Sequence, residues 1–157
     1  MLYRIAAPEE IPTLIELRRV QLIEESVNEE GRRAEEFDAI DISEQMADFF
    51  TRKMADGSMV EWVAEEDGEI IATSAVLFYE FPPSLDYPNG MKAYIANMYT
   101  KPAFRGRGIA TALIGKLVEE AERRGVTRLW LSASNKGKPV YLNSSFVVAD
   151  WLMERYL

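Results

Sequence analysis

Between Phe104 and Leu117 the chain reads FRGRGIATALIGKL. Arg105, Gly106, Arg107 and Gly108 stand directly before a run in which Ala110, Leu113, Ile114, Leu117, Val118 and Ala121 recur at helical spacing. The first turn of a helix exposes unpaired N–H groups and the positive end of the helix dipole. Glycines let an anion approach those amides, and arginines add charge, so the stretch predicts a phosphate cradle. It is not a nucleotide P-loop, because Gly115-Lys116 is followed by Leu117 and falls inside the helix. The dinucleotide fingerprint GxGxxG is incomplete, since Thr111 stands where its third glycine belongs. Taken alone, these residues serve a structural turn as well as a binding site.

Composition narrows the chemistry that can accompany such a cradle. The chain has 157 residues, 48% of them hydrophobic, which predicts one domain over residues 1–157 with a single core. It has no cysteine and no histidine. Thiol nucleophiles, disulfides, zinc–thiolate sites and the commonest general base are therefore excluded, and no metal is expected. Carboxylates, tyrosines, lysines and backbone groups remain. The net charge is −8, yet residues 101–138 hold nine basic and three acidic side chains, so the rest of the chain carries −14. Such a chain is a poor general binder of nucleic acid. It suits a small polyanion in one place and a cation in another, with a solvated helix face as the plain alternative. No apolar stretch reaches the about 18–20 residues of a membrane helix. The opening MLYRIAAPEE lacks the features of a signal peptide, so a cytoplasmic location and no membrane partner are expected.

The elements that must position these residues alternate between strand and helix. Leu2 to Ala6 reads as a short strand, and Pro8 with Glu9 and Glu10 opens a helix whose apolar face is Ile11, Leu14, Ile15 and Leu22. The acidic stretch Glu24 to Glu36 reads as a loop or short helix. Asp41 with Glu44 resembles a capping box ahead of Met46, Phe49 and Phe50. Met59 to Glu65 and Glu69 to Phe81 are strands joined by a tight turn at Glu66-Asp67-Gly68, and Met91 to Thr100 is another. FPPSLDYPNG, residues 81–90, is a proline-rich loop. After the glycine turn and its helix, Gly125 suits a C-cap, Thr127 to Ser134 reads as a strand, Gly137 to Asn143 as a short helix, and Trp151 to Leu157 as strand-like.

Placed on these elements, Arg105 to Ala110 fits the pattern Gln/Arg-x-x-Gly-x-Gly/Ala between a strand and a long amphipathic helix. The stretches NMYTKPAFRGRGIATALI, RLWLSAS and NKGKPVYLNSSF follow in order. In these segments the sequence resembles the GCN5-related N-acetyltransferase (GNAT) superfamily. The resemblance implies an α/β (α+β) fold whose mixed sheet of six to seven strands is splayed between the fourth and fifth, with about four flanking helices. Acetyl-CoA would lie in that opening as the acetyl donor. Backbone groups of Met98, Tyr99 and Thr100 would pair with its pantetheine arm. Arg105, Gly106, Arg107, Gly108, Ile109, Ala110 and Thr111 would hold its pyrophosphate, with Asn135 and Lys138 as further cofactor contacts. Tyr141, at the family's tyrosine position, would protonate the departing thiolate.

The implied reaction is attack of a primary amine on the thioester. A backbone N–H near Met98 or Tyr99 would face the developing oxyanion. The amine must also be neutral, which for a lysine-like group at pH 7 costs about 4–5 kcal/mol. Family members often carry a glutamate on the fourth strand for this purpose; MKAYIANMYT has none and offers Asn97, which can orient water, so Glu80 at the end of the third strand is the candidate base. Ser145 stands where the family favours glycine; a left-handed backbone there would cost on the order of 1 kcal/mol. Glu24, Glu25, Glu29 and Glu30, together with Tyr79, Phe81 and Tyr87, suggest a small cationic amine or a peptide as acceptor. A homodimer is compatible with this expectation. A non-catalytic acyl-CoA-binding or sensing domain of the same fold is the alternative.

Overall fold

The structure is a computed structural model that describes residues 1–37, 40–150 and 153–156. Its elements are β1 (Leu2–Ile5), a 3-10 turn at Pro8–Glu10, α1 (Ile11–Glu30), α2 (Ser43–Ala55), β2 (Met59–Glu66), β3 (Glu69–Glu80), β4 (Met91–Thr100), α3 (Ile109–Arg123), β5 (Leu129–Trp130) and α4 (Lys138–Asn143). The sheet order is β1-β2-β3-β4-β5. The first three pairings are antiparallel, and β4 pairs with β5 in parallel. A parallel pair needs a crossover, and α3 supplies it.

Alternation along the strands divides the core into two faces. Met59, Val63 and Ala75 pack on one side with Leu14 and Leu17 of α1 and Phe50 of α2. Val60, Val76, Phe78, Ala93 and Ile95 pack on the other against Leu117 and Ala121 of α3. The β2–β3 turn forms because Asp67 and Gly68 both take positive φ, 53° and 81°, as a two-residue hairpin requires. Among the described residues no helix is long and apolar enough to cross a membrane.

Several expectations are corrected. The acidic stretch after Glu24 is not a loop, since α1 continues to Glu30 and ends at Gly31 with φ 67°. Its like charges are offset by hydrogen bonds, from Gln21 Nε2 to Glu25 and from Arg105 to Glu24. Asp41 accepts from the Ser43 N–H at 2.9 Å, but the residue at the N-cap of α2 is Ile42, without a side-chain cap bond, so the expected capping box does not form. The described residues form five strands rather than six to seven. The expected strand from Thr127 to Ser134 pairs only at Leu129 and Trp130, because beyond them the chain leaves β4. Residues 153–156 form no strand, and Trp151, Leu152 and Leu157 lie outside the described residues.

Candidate functional site

The parting of β4 from β5 makes the site. β4 pairs with β5 only through Ala93–Leu129 and Tyr94–Trp130 and then runs on to Thr100 alone on that edge. An open cavity of about 440 Å³ follows this edge to the N-terminus of α3. The backbone of β4 is irregular where it meets the cavity. Thr73 lies opposite Tyr99 but Ala75 lies opposite Ala96, so β4 carries one extra residue there, and Asn97 has φ 54°. Asn97 is fastened at both ends: its carbonyl accepts from Thr73 Oγ1 at 2.8 Å, and its Nδ2 donates to Glu61 Oε2 at 3.0 Å.

At the far end, Gly106 and Gly108 both have φ 76°, and a Cβ on either would meet no atom. The turn is therefore glycine for its backbone angle, and the space beside it is open. The first helical bond of α3 runs from Ala112 N to Gly108 O. The amides of Ile109, Ala110 and Thr111 are thus left without helical partners on the cavity wall. Arg105 is held by its Nε–H on Thr100 O at 2.9 Å and by two bonds to Glu24 at 2.8 and 2.7 Å. These bonds lower the carboxyl of Glu24 below its ordinary range. Across the cavity stands Tyr141 of α4, 9% exposed. Burial first, then the charge of Glu25 and the proximity of Tyr94, push its phenol up to about 12. Ser145 does take the left-handed conformation, φ 68°. The N–H of Phe146 then reaches back to Tyr141 O at 3.0 Å and sets the Phe146 ring edge-on to the tyrosine at 5.7 Å.

The cavity thus gathers Met98, Tyr99, Thr100, Arg105, Gly106, Gly108, Ile109, Ala110, Thr111 and Tyr141 from the residues singled out in the sequence. Four others stand apart from its lining. Arg107 turns to Glu66 with bonds of 2.9 and 2.7 Å. Asn135 gives its side-chain amide and its N–H to Glu29. Lys138 is exposed at the start of α4, and Lys136 lines the cavity instead. Glu80 is exposed at the end of β3, two residues past Phe78 on the face that packs toward α3. Asn97 lies just behind the wall, 8% exposed. Among the described residues no cluster of three potential metal ligands occurs.

The acidic and aromatic groups expected to receive a cation are largely engaged by the protein itself. Glu24 is bound to Arg105 and Glu29 to Asn135. Lys92 lies over the rings of Phe81 and Tyr87 at 3.7 and 4.6 Å, with Arg128 also over Tyr87. Glu25, hydrogen-bonded by Gln21, is the carboxylate left facing the cavity beside Tyr141.

One group escaped sequence reasoning altogether. Glu61 is 1% exposed in the middle of β2. Burial pushes its carboxyl up to about 8, with the Asn97 hydrogen bond and the charge of Arg18 pulling the other way. Its signal was present: one acid inside the apolar run Met59-Val60-Glu61-Trp62-Val63-Ala64.

Comparison with known proteins agrees with this geometry. A computed match to the acetyltransferase (GNAT) family covers residues 20–141. An uncharacterized N-acetyltransferase of Methanocaldococcus jannaschii is 42% identical over 67 residues, 38% of this chain, and the match spans about 30% of that relative's length. A predicted acetyltransferase from Clostridium acetobutylicum, solved with acetyl-CoA, is 40% identical with a TM-score of 0.88, covering 99% of this chain and 95% of its own. A GCN5-related N-acetyltransferase from Ralstonia eutropha is 26% identical with a TM-score of 0.83, over 99% and 97% of the two chains. With its splayed sheet, its glycine turn and these matches, the chain belongs to the acetyltransferase (GNAT) family.

Proposed function

We propose that the protein transfers the acetyl group of acetyl-CoA to a primary amine of a small cationic molecule or a peptide. The observation that carries this reading is the single cavity joining the unpaired edge of β4, the amides that open α3 and the phenol of Tyr141. The residues present fit acetyl-CoA. Open space beside two left-handed glycines and three unspent amides suit a pyrophosphate, with Arg105 and Lys136 adding charge. The β4 edge from Met98 to Thr100 offers backbone partners to an extended amide-bearing arm.

In this reading the amine nitrogen bonds to the thioester carbon, the carbonyl oxygen gains charge opposite a β4 N–H near Met98, and the C–S bond then breaks. Tyr141 remains a neutral phenol across physiological pH and donates to the departing sulfur. A free thiol near pKa 8.5 is a much stronger acid than this phenol, so the tyrosine stabilises the thiolate by a hydrogen bond rather than by surrendering its proton outright. Glu25 receives the ammonium, and Glu80 has no place at the reacting atoms. The ammonium gives one proton to solvent before the nitrogen attacks and a second after it, and the departing thiolate takes one proton back from solvent, all through the open cavity. The test is release of free thiol from acetyl-CoA across a panel of polyamines, amino acids, aminoglycosides and peptides. Tight acetyl-CoA binding without amine-dependent thiol release would instead mean a sensing domain.

A further inference from the structure

We propose that Glu61 is a positioning residue: by accepting the hydrogen bond from Asn97 it holds the left-handed turn of β4 that sets the Met98 backbone in the cavity wall. The inference rests on the acetyl-transfer reading of that wall.

Three observations lead to it. The first is the extra residue in β4. Ala93 and Ile95 pack toward α3, whereas Tyr99 packs with the α1 side, so the strand changes face between them. A one-residue slip in a strand exchanges every side chain between faces, and the irregularity at Asn97 is where that exchange is made. Met98 and Tyr99 line the cavity in consequence.

The second is the conformation of Asn97. Asparagine tolerates φ 54° better than other residues with a side chain, but inside a strand the conformation still costs energy and is held by its partners. Thr73 anchors its carbonyl and Glu61 its side chain, from two different strands.

The third is the carboxyl itself. Glu61 stands between Met59 and Val63 on β2, opposite Ala75 on β3, in the apolar layer under α1 and α2. Its Oε1 has no hydrogen-bond partner among the described residues. A buried, half-satisfied carboxyl is worse for stability than an apolar side chain of similar size. A residue that breaks the local rule while gripping the irregular strand of the site is one kept for the site.

The experiment compares Glu61→Gln, which keeps an acceptor for Asn97 Nδ2, with Glu61→Leu, which removes it. Glu61→Gln should keep kcat within about threefold of wild type. Glu61→Leu should lower kcat between about 10- and 100-fold, less than the roughly 100- to 1000-fold that outright removal of an oxyanion donor costs because the amide is shifted and not lost, and change KM for acetyl-CoA less than about threefold. Asn97→Ala should give the same loss, and the double variant no further loss; additive losses overturn the proposal, as does an equal loss in the Gln and Leu variants or wild-type kcat in Glu61→Leu. If Glu61→Leu does not fold, Asn97→Ala alone against Glu61→Gln decides. A second readout needs no turnover: the 15N-detected amide signals of Met98 and Tyr99, and the side-chain amide of Asn97, should move in Glu61→Leu and hold in Glu61→Gln. Should the wild type acetylate no amine, the acetyl-transfer reading falls while these signals still test the positioning, and unmoved signals in Glu61→Leu overturn it.

Discussion

At neutral pH the carboxyl of Glu61 should make the fold less stable than the isosteric amide would, and the difference should grow with pH. In the folded protein the group titrates at about 8, against 4.5 for an ordinary glutamate. Burial is the larger cause, and Arg18 on α1 with Asn97 on β4 are the groups that counter it. At about 1.36 kcal/mol per pH unit, that gap amounts to about 5 kcal/mol. The sign follows from which state holds the proton. Below the unfolded value both states are protonated and the contribution of Glu61 is fully present. Between the two values the unfolded chain loses its proton first, so stability falls as pH rises, and above the folded value the loss is complete. Glu61→Gln has no proton to lose. Urea unfolding of both proteins from about pH 5 to about pH 8, at fixed ionic strength, should show the variant gaining on the wild type by about 1.4 kcal/mol per pH unit. All other titrating groups cancel in the difference. Stability curves that stay parallel within about 0.5 kcal/mol would refute the reasoning, because Glu61 would then be ionised in the folded protein at neutral pH.

Other perturbations separate the roles of the cavity residues. Tyr141→Phe removes only the hydroxyl, so acetyl-CoA should still raise the melting temperature while kcat falls about 100-fold; wild-type turnover would mean that the ring merely packs on Phe146. Gly108→Val places a β-branched side chain at φ 76° and fills the open space beside the α3 amides. The variant should fold yet lose the acetyl-CoA-induced rise in melting temperature, and an unchanged affinity by calorimetry would move the phosphate site elsewhere. Glu24→Gln weakens the carboxylate's hold on Arg105 and removes a negative charge from the cavity. Acetyl-CoA should then bind roughly 3- to 10-fold tighter; weaker binding would show that Glu24 holds Arg105 ready for its ligand.

Much of the site was legible because its signals are local. A glycine-rich turn before an amphipathic run states its own geometry within a few residues, and Gly106, Gly108 and the opening amides of α3 stand in the cavity as that pattern implies. Ser145 was read as standing where the family favours glycine, with the backbone either left-handed or ending the helix differently, and its φ of 68° takes the first of these. Errors arose where a local pattern has two tertiary outcomes. The acidic stretch from Glu24 to Glu36, interrupted at Gly31, read as a loop or a short helix; in the structure α1 continues to Glu30, and Arg105, 81 residues away, pairs with Glu24. The run from Thr127 to Ser134 has the composition of a strand, but a strand needs a neighbour, and β4 remains within reach for only two of its residues.

The amino-acid sequence by itself determined the class of the fold and the glycine turn with its helix, because periodicity, backbone freedom and capping act over one or two turns of chain, while the tyrosine facing them was implied by the family resemblance alone. Only the tertiary structure decided which groups those residues meet. Asn97 finds Glu61 across 36 residues, and Asn135 finds Glu29 across 106. Glu61 has the same carboxyl as every other glutamate in the chain. Its place in the apolar layer under α1 and α2, with one oxygen bonded and the other bare, turns it into a group that titrates at about 8 behind the cavity edge of the sheet. The apolar run around Glu61 hints at its burial, but its partner Asn97 and the charge of Arg18 come from segments far apart in the chain, and no stretch of sequence around Glu61 contains them.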